Sequence, residues 1–289
     1  MKKTGLFYHP SFSRRSYLTV GLRLANFPMA LENLLKKPQI RLYESKPVSE
    51  ELILKVHPRP MIKEVKQDPL CSTAWHSAGG AVEAGERIMA GEIQNAFVFI
   101  GAGGHHAGID YFGGFCCFND VAITIYNLRE KFGVRRFAIL DTDAHHGDGT
   151  RQIFAQDPDV LHVCICSYDW ASEDGTKVDV SYGMWPWNRL SDPNKTYIKK
   201  VEEEFIPRAR QFEPDLVFWY FGFDTHIGDY GDIGLTGACY FRIAEIVRDL
   251  ADEVSEGRLE VVLGGGSRTD LATLLIPEII KRLARLGGV

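Results

Sequence analysis

The chain lacks most of the features that would classify a protein at a glance. No run of 18 apolar residues occurs in its 289 residues, so no membrane-spanning helix is expected. The segment from Met1 to Pro10 has no long apolar stretch of the kind a signal peptide carries, which makes a cytoplasmic protein the expectation. There is no basic surplus either. With 33 Lys and Arg against 38 Asp and Glu the net charge is -5, which argues against a nucleic-acid-binding surface. The 6 cysteines contain no Cys-x-x-Cys pair; Cys116-Cys117 and Cys164-x-Cys166 lack the spacing of a structural zinc site. Reduced, buried thiols are therefore expected. Repeats, low-complexity tracts and linkers are absent. One α/β domain spanning residues 1–289 is enough to hold a chain that is 45% hydrophobic.

What the chain does contain is an alternation of apolar runs and helical patterns. Strands read at 96–100, 136–140, 160–165, 216–221 and 259–263, with helices at 79–91, 120–132, 195–212, 238–256 and 270–285. Continuous apolar strands alternating with helices predict a mostly parallel central sheet with helices on both faces. The run Val160–Ile165 carries the least charge and is expected at the centre of the sheet. The first 70 residues are punctuated by prolines and read as irregular, with Phe7–Pro10 and His57–Pro60 as loop segments at the surface or over a site. Residues 166–194 read as a long loop, in which Trp170, Trp185 and Trp187 either shape a pocket or pack the loop down.

The polar motifs all follow strands, and ligands of parallel sheets bind at the carboxyl ends of strands. After 136–140 comes Asp141-Thr142-Asp143-Ala144-His145-His146-Gly147-Asp148-Gly149-Thr150. Period-two alternation points Asp141, Asp143 and His145 the same way as the strand ends. Two carboxylates and an imidazole make a poor hydrophobic core and a good divalent-metal site. A second His pair, His105-His106, lies among glycines after 96–100. Asp224 follows 216–221, and Gly264-Gly265-Gly266-Ser267-Arg268 follows 259–263.

These residues resemble the zinc-dependent histone deacetylase superfamily, including its bacterial and archaeal histone deacetylase-like amidohydrolases, from about residue 70 to 270. The matching pieces are Gly104-His105-His106-Ala107, Gly114 to Ala122, Asp141 to Thr150, Gly222-Phe223-Asp224-Thr225, Leu235-Thr236 and Gly264-Gly265-Gly266. The second Asp-rich cluster of two-metal, arginase-like relatives is missing around Asp224. The resemblance implies an arginase/deacetylase-like fold and an amide hydrolase that removes an acyl group from lysine or another amine. It implies one catalytic Zn2+ on Asp143, His145 and Asp224, with open positions for water and a substrate carbonyl. Iron(II) or cobalt(II) suits the same ligands.

By the same resemblance His105 pairs with Asp141 and His106 with Asp148, His106 acting as general base and then acid. Gly114, Phe115 and Gly266 border the acyl channel. A K+ ion is implied near Asp141, Asp143 and His145, with Cys164 where the family has a hydroxyl. The largest departure is Arg268, which stands where the family carries a Tyr that stabilises the oxyanion. Arg268 is expected to face the pocket and take that catalytic role or bind an anionic acyl group. The implied partner is an acylated lysine or acylated small amine such as an acetylpolyamine; the alternative is a metal-binding sensor that has lost turnover with the Tyr. Neither the oligomeric state nor the acyl chain is legible.

Overall fold

The computed structural model describes residues 3–14, 22–101, 104–183 and 192–286. Among the described residues the strands are β1 (Thr4–Tyr8), β2 (Ile40–Glu44), β3 (Asn95–Val98), β4 (Phe137–Asp141), β5 (Val160–Cys166), β6 (Trp170–Ala171), β7 (Lys177–Ser181), β8 (Leu216–Phe221) and β9 (Leu259–Leu263). They form one sheet in the order β2-β1-β3-β9-β8-β4-β5-β7-β6, parallel except for the β6–β7 pair.

The sheet is covered on both faces. Phe218 and Glu260 are in register on β8 and β9, and Glu260 faces Gly85 and Thr124 of the helices Ala74–Met89 and Asp120–Phe132. Three residues on, Phe221 turns the other way and meets Tyr240 of the helix Gly237–Val254 edge to face. That helix packs with Thr269–Leu283. Such double cover is why β8 reads Leu-Val-Phe-Trp-Tyr-Phe with every residue buried. The Ala74–Met89 helix approaches the chain after β2 so closely that a Cβ on Gly79 would lie 1.8 Å from the Lys46 carbonyl oxygen. Among the described residues no helix is long and apolar enough to cross a membrane.

Four expectations are corrected. Val160–Cys166 is the seventh strand of nine, and β8 is central. An apolar run reports burial on both faces, not position in the sheet, and β7 and β6 continue the sheet beyond β5. The Pro-rich N-terminal region supplies β1 and β2, so Phe7 and Tyr8 are core residues. Their partners lie at the far edge, beyond the reach of local patterning. The stretch 166–194 holds β6 and β7; Trp170 is exposed beside Arg151, while Trp185 and Trp187 fall outside the described residues. Finally, Cys71 and Cys117 form a disulfide across 46 residues, whereas Cys116, Cys164, Cys166 and Cys239 are free and buried. Chain spacing gave no sign that the loop before Asn119 would meet the Pro69–Cys71 turn.

His57 is likewise buried, not a surface loop residue. Its Nε2 accepts from the Asn119 N–H (3.0 Å), and its Nδ1–H donates to the Ile109 carbonyl (3.3 Å). The bond from Asn119 requires the neutral ring, and burial pushes His57 down to about 4 against the hydrogen bonds to Ile109 and Gly108. Because this value is below that of an unfolded histidine, the associated stability is present above about pH 6.5 and is lost as pH falls toward 4. The loss amounts to about 3 kcal/mol. Gln can donate and accept at the same two places without titrating. His57→Gln is expected to remove about 3 kcal/mol of the acid-induced loss between pH 6.5 and 4, read from urea unfolding at each pH. Identical pH dependence in parent and variant would rule the coupling out.

Candidate metal and catalytic site

Four neighbouring strands, β3-β9-β8-β4, end side by side at the carboxyl edge, and each delivers one of the polar segments. β4 leads to Asp143 and His145, β8 to Asp224, β3 to the pair His105-His106, and β9 to the loop Gly264–Arg268. Gly104 turns the chain with φ 138°, and a Cβ there would lie 2.0 Å from the Tyr220 hydroxyl, so the His pair can start only from glycine.

Asp143 and Asp224 are buried and His145 is half-open to solvent. His145 Nδ1 lies 3.0 Å from Asp143 Oδ1 and 3.1 Å from Asp224 Oδ2. Asp143 Oδ2 accepts from the Gly265 N–H at 2.6 Å, and Asp224 Oδ1 accepts from the N–H groups of Ala144 and Thr225. Apart from the His145 ring, Asp224 Oδ2 is buried without a hydrogen-bond partner. Hydrogen bonds to Asp143 and Asp224 hold the His145 ring up at about 10. Burial, and then the charge of Asp143, pushes Asp224 up to about 7. Asp143 itself is held well down: burial raises it, but His105 and His145 outweigh that.

The donor atoms of Asp143, His145 and Asp224 all lie within 4.8 Å of one another. Two carboxylates and an imidazole, with a buried carboxylate oxygen that has no partner but the His145 ring, fit a divalent ion of the zinc type. Gly265 completes the fit. A Cβ at that position would meet Asp143 Oδ2 at 2.6 Å, Asp224 Oδ2 at 2.7 Å and the Tyr230 hydroxyl at 2.7 Å. Three oxygens thus converge on ground that only glycine leaves open.

The tandem histidines stand over these donors with their rings 4.2 Å apart. His105 Nδ1 is 2.8 Å from Asp141 Oδ2, its ring stacks on Tyr220, and its Nε2 is 3.6 Å from Asp143. Burial lowers its proton affinity, but Asp141 and Asp143 overcome this and raise it to about 9. His106 Nδ1 is 2.6 Å from Asp148, whose other oxygen accepts from the Tyr111 hydroxyl. Burial raises Asp148, and the His106 hydrogen bond more than reverses it. Gly114 lies against the His106 ring, and Phe115, at φ 66°, lines the pocket with His105, His106, Asp143, His145 and Tyr230. Gly266 sits over Phe223 and donates to the Tyr230 hydroxyl (3.0 Å).

Arg268 is placed elsewhere. Its guanidinium pairs with Asp270 and is 43% exposed, at the start of the Thr269–Leu283 helix. The reason lies one loop away. Asp229 accepts from the N–H groups of Ser267 and Arg268, pinning the backbone so that the Arg268 side chain leaves the pocket. The next residue, Tyr230, enters instead and stacks on His145 with centroids 5.6 Å apart.

Two pocket residues escaped the sequence reading. Tyr230 lies in a segment where only Asp224 drew attention. Arg23 lies in the Pro-rich region and is buried, donating to the carbonyls of Gly264 (2.5 Å), Gly266 (3.1 Å) and Ile100 (3.1 Å). No local pattern marks either.

A sequence model of the histone deacetylase domain matches residues 68–282. The chain is 33% identical over 209 residues to histone deacetylase HDA1 of Saccharomyces cerevisiae, covering 66% of this chain and 29% of that protein. It is 32% identical over 203 residues to polyamine deacetylase HDAC10 of Mus musculus, covering 66% of this chain and 30% of that protein. To the histone deacetylase-like amidohydrolase of Pseudomonas aeruginosa it is 29% identical over 252 residues, covering 79% of this chain and 66% of that protein. The chain therefore spans under a third of the first two relatives. Among solved structures, that of the HDA15 HD domain superposes with a TM-score of 0.83 at 22% identity, covering 100% of this chain and 91% of that one.

If Asp143, His145 and Asp224 hold a metal, Asp143→Ala and Asp224→Ala should each lose one equivalent of zinc relative to the parent, as measured by elemental analysis after zinc loading and desalting. Arg268→Ala should lose none. Full parental stoichiometry in both Asp variants would exclude this ligand set.

Proposed function

The chain belongs to the histone deacetylase family, and on that premise we propose that it is a zinc-dependent amide hydrolase that removes an acyl group from lysine or a small amine. The observation that carries the reading is the pair of His–carboxylate couples, His105–Asp141 and His106–Asp148, poised over the Asp143, His145 and Asp224 donors. A site that only bound metal would have no use for a proton relay.

When bound, a divalent ion supplies Lewis acidity, polarising the substrate carbonyl and acidifying water. The protein supplies the rest. His106, with Nδ1 tied to Asp148, presents Nε2 to the pocket. There it takes a proton from the attacking water and returns it to the amine nitrogen as the C–N bond breaks, the acyl group leaving as a carboxylic acid. His105, buried and raised by Asp141 and Asp143, contributes positive charge beside the reacting carbonyl. Phe115 and Gly114 wall the approach.

The hydroxyl that the family resemblance places after the glycines is supplied, in this reading, by Tyr230. Its oxygen shares the ground at Gly265 with Asp143 and Asp224. Burial, with the charges of Asp143 and Asp224, raises its proton affinity, so the phenol stays neutral and able to donate to an oxyanion. This removes the reason for a sensor without turnover, since the missing Tyr was its only support. The family's two substrate classes both remain, as the relatives include histone and polyamine deacetylases.

Zinc-loaded protein is expected to hydrolyse members of a panel of acyl-lysine peptides and acylated polyamines; no turnover on any of them would refute the reading. His106→Ala should lower kcat by about 10²–10⁴ while retaining metal. Tyr230→Phe should lower kcat by about 10²–10³ with little change in KM, whereas Arg268→Ala should match the parent. Steady-state kinetics decide between the two residues: an active Tyr230→Phe beside an impaired Arg268→Ala would return the oxyanion role to the arginine.

A further inference from the structure

A second donor cluster lies one strand farther along the same sheet edge. Parallel register places Asp141, Cys164 and Asp179 side by side on β4, β5 and β7. Cys166, two residues beyond Cys164, returns to the same face. His146 reaches the group from the loop after β4. Its Nδ1 lies 3.9 Å from Cys166 Sγ and 3.1 Å from Asp179 Oδ1. Donor atoms of His146, Cys164, Cys166 and Asp179 all lie within 4.8 Å of one another. The three strand residues are buried, and the hydrolytic reading uses none of the four.

We infer that His146, Cys164, Cys166 and Asp179 form a second metal site, closed by four protein ligands and selective for a transition ion of the zinc class. The donors are close to the spacing such an ion requires. Zinc bond lengths of about 2.0–2.3 Å put tetrahedral ligands roughly 3.3–3.8 Å apart, so the cluster needs to contract by about 1.5 Å at most. Its composition sets the preference. Thiolates with an imidazole favour zinc or copper(I) over magnesium or calcium, and a sulfur is likewise a poor donor for the K+ expected beside Asp141.

Charge closes as well. Two thiolates and the Asp179 carboxylate carry three negative charges. A divalent ion and Arg151, which donates to Asp179 at 2.7 Å, carry three positive. A carboxylate has two oxygens, so Arg151 and an ion can share it. Unpaired charge in such a buried place would be costly. The site joins β5, β7 and the loop that carries His145, so an ion there would brace that loop from the side opposite the Asp143 centre.

Cobalt(II) spectroscopy of the whole 289-residue chain tests this. Metal-free protein, kept reduced, is titrated with Co2+. Cobalt on sulfur gives a thiolate-to-metal charge-transfer band in the near ultraviolet; cobalt on Asp143, His145 and Asp224 has no sulfur and gives none. The parent should take up two equivalents and show the band. Asp143→Ala/Asp224→Ala should keep the band with one equivalent. Cys164→Ser/Cys166→Ser should lose the band and keep the other equivalent. His146→Gln, at a half-buried loop position, should weaken the band-forming equivalent at least tenfold, and it decides the question if the cysteine variant does not fold. A parent with no band, a band that survives in Cys164→Ser/Cys166→Ser, or an unchanged titration in His146→Gln would each overturn the site.

Discussion

The carboxyl edge of the sheet is organised around one buried carboxylate, Asp143. Its Oδ1 accepts from the His145 backbone, its Oδ2 accepts from Gly265, and the His105 ring sits 3.6 Å away. Those contacts come from the loops after β4, β9 and β3, so three separate stretches of chain satisfy the same charge. An unpaired carboxylate at that depth would be strongly destabilising, and breaking one partner exposes the others to that cost. The need to satisfy Asp143 therefore dictates where the His pair and the glycine loop must lie. Gly265 can donate only because it lacks a Cβ, which would fall on the very oxygen it binds.

Much of this arrangement is legible in the sequence, because its parts are local. A parallel strand buried on both faces is a run of apolar residues, and the residues that follow it emerge at the edge where ligands bind. Five strands and five helices, and the segments holding His105, His106, Asp141, Asp143, His145, Asp148 and Asp224, are read in this way. The convergence of these segments depends on strand order, and order is not local: β8 and β9 insert between β3 and β4 although they come last in the chain. The same limit explains why β5 reads as central and why β1 and β2 do not read as strands. It hides Arg23 too, whose partners are carbonyls some 240 residues away in the chain.

Arg268 and Tyr230 show a subtler limit. Alignment by motif asks which residue follows the glycines; the pocket asks which side chain reaches the space beside Asp143. Asp229 separates the two questions. By accepting from the backbone of Ser267 and Arg268 it fastens the β9 loop to the β8 loop, and it turns its own neighbour Tyr230 inward. Once two loops are tied in this manner, either can place a hydroxyl at the shared point, and chain position ceases to report spatial position.

The edge also changes chemical character along its length. Around Asp143 and Asp224 the donors are oxygen and nitrogen. One step outward Asp141 meets His162 and Cys164, all buried; one step further Cys164 and Cys166 face His146 and Asp179. Parallel pairing produces this progression, because residues in register on adjacent strands share a face and each new strand adds donors to the row. The adjacent residues His145 and His146 divide between its two ends, the first turned toward Asp143 and Asp224, the second toward the thiols. A loop of six residues between β4 and the helix Asp148–Ile153 is thus held from both sides, and the geometry at either end constrains the other through a single peptide bond.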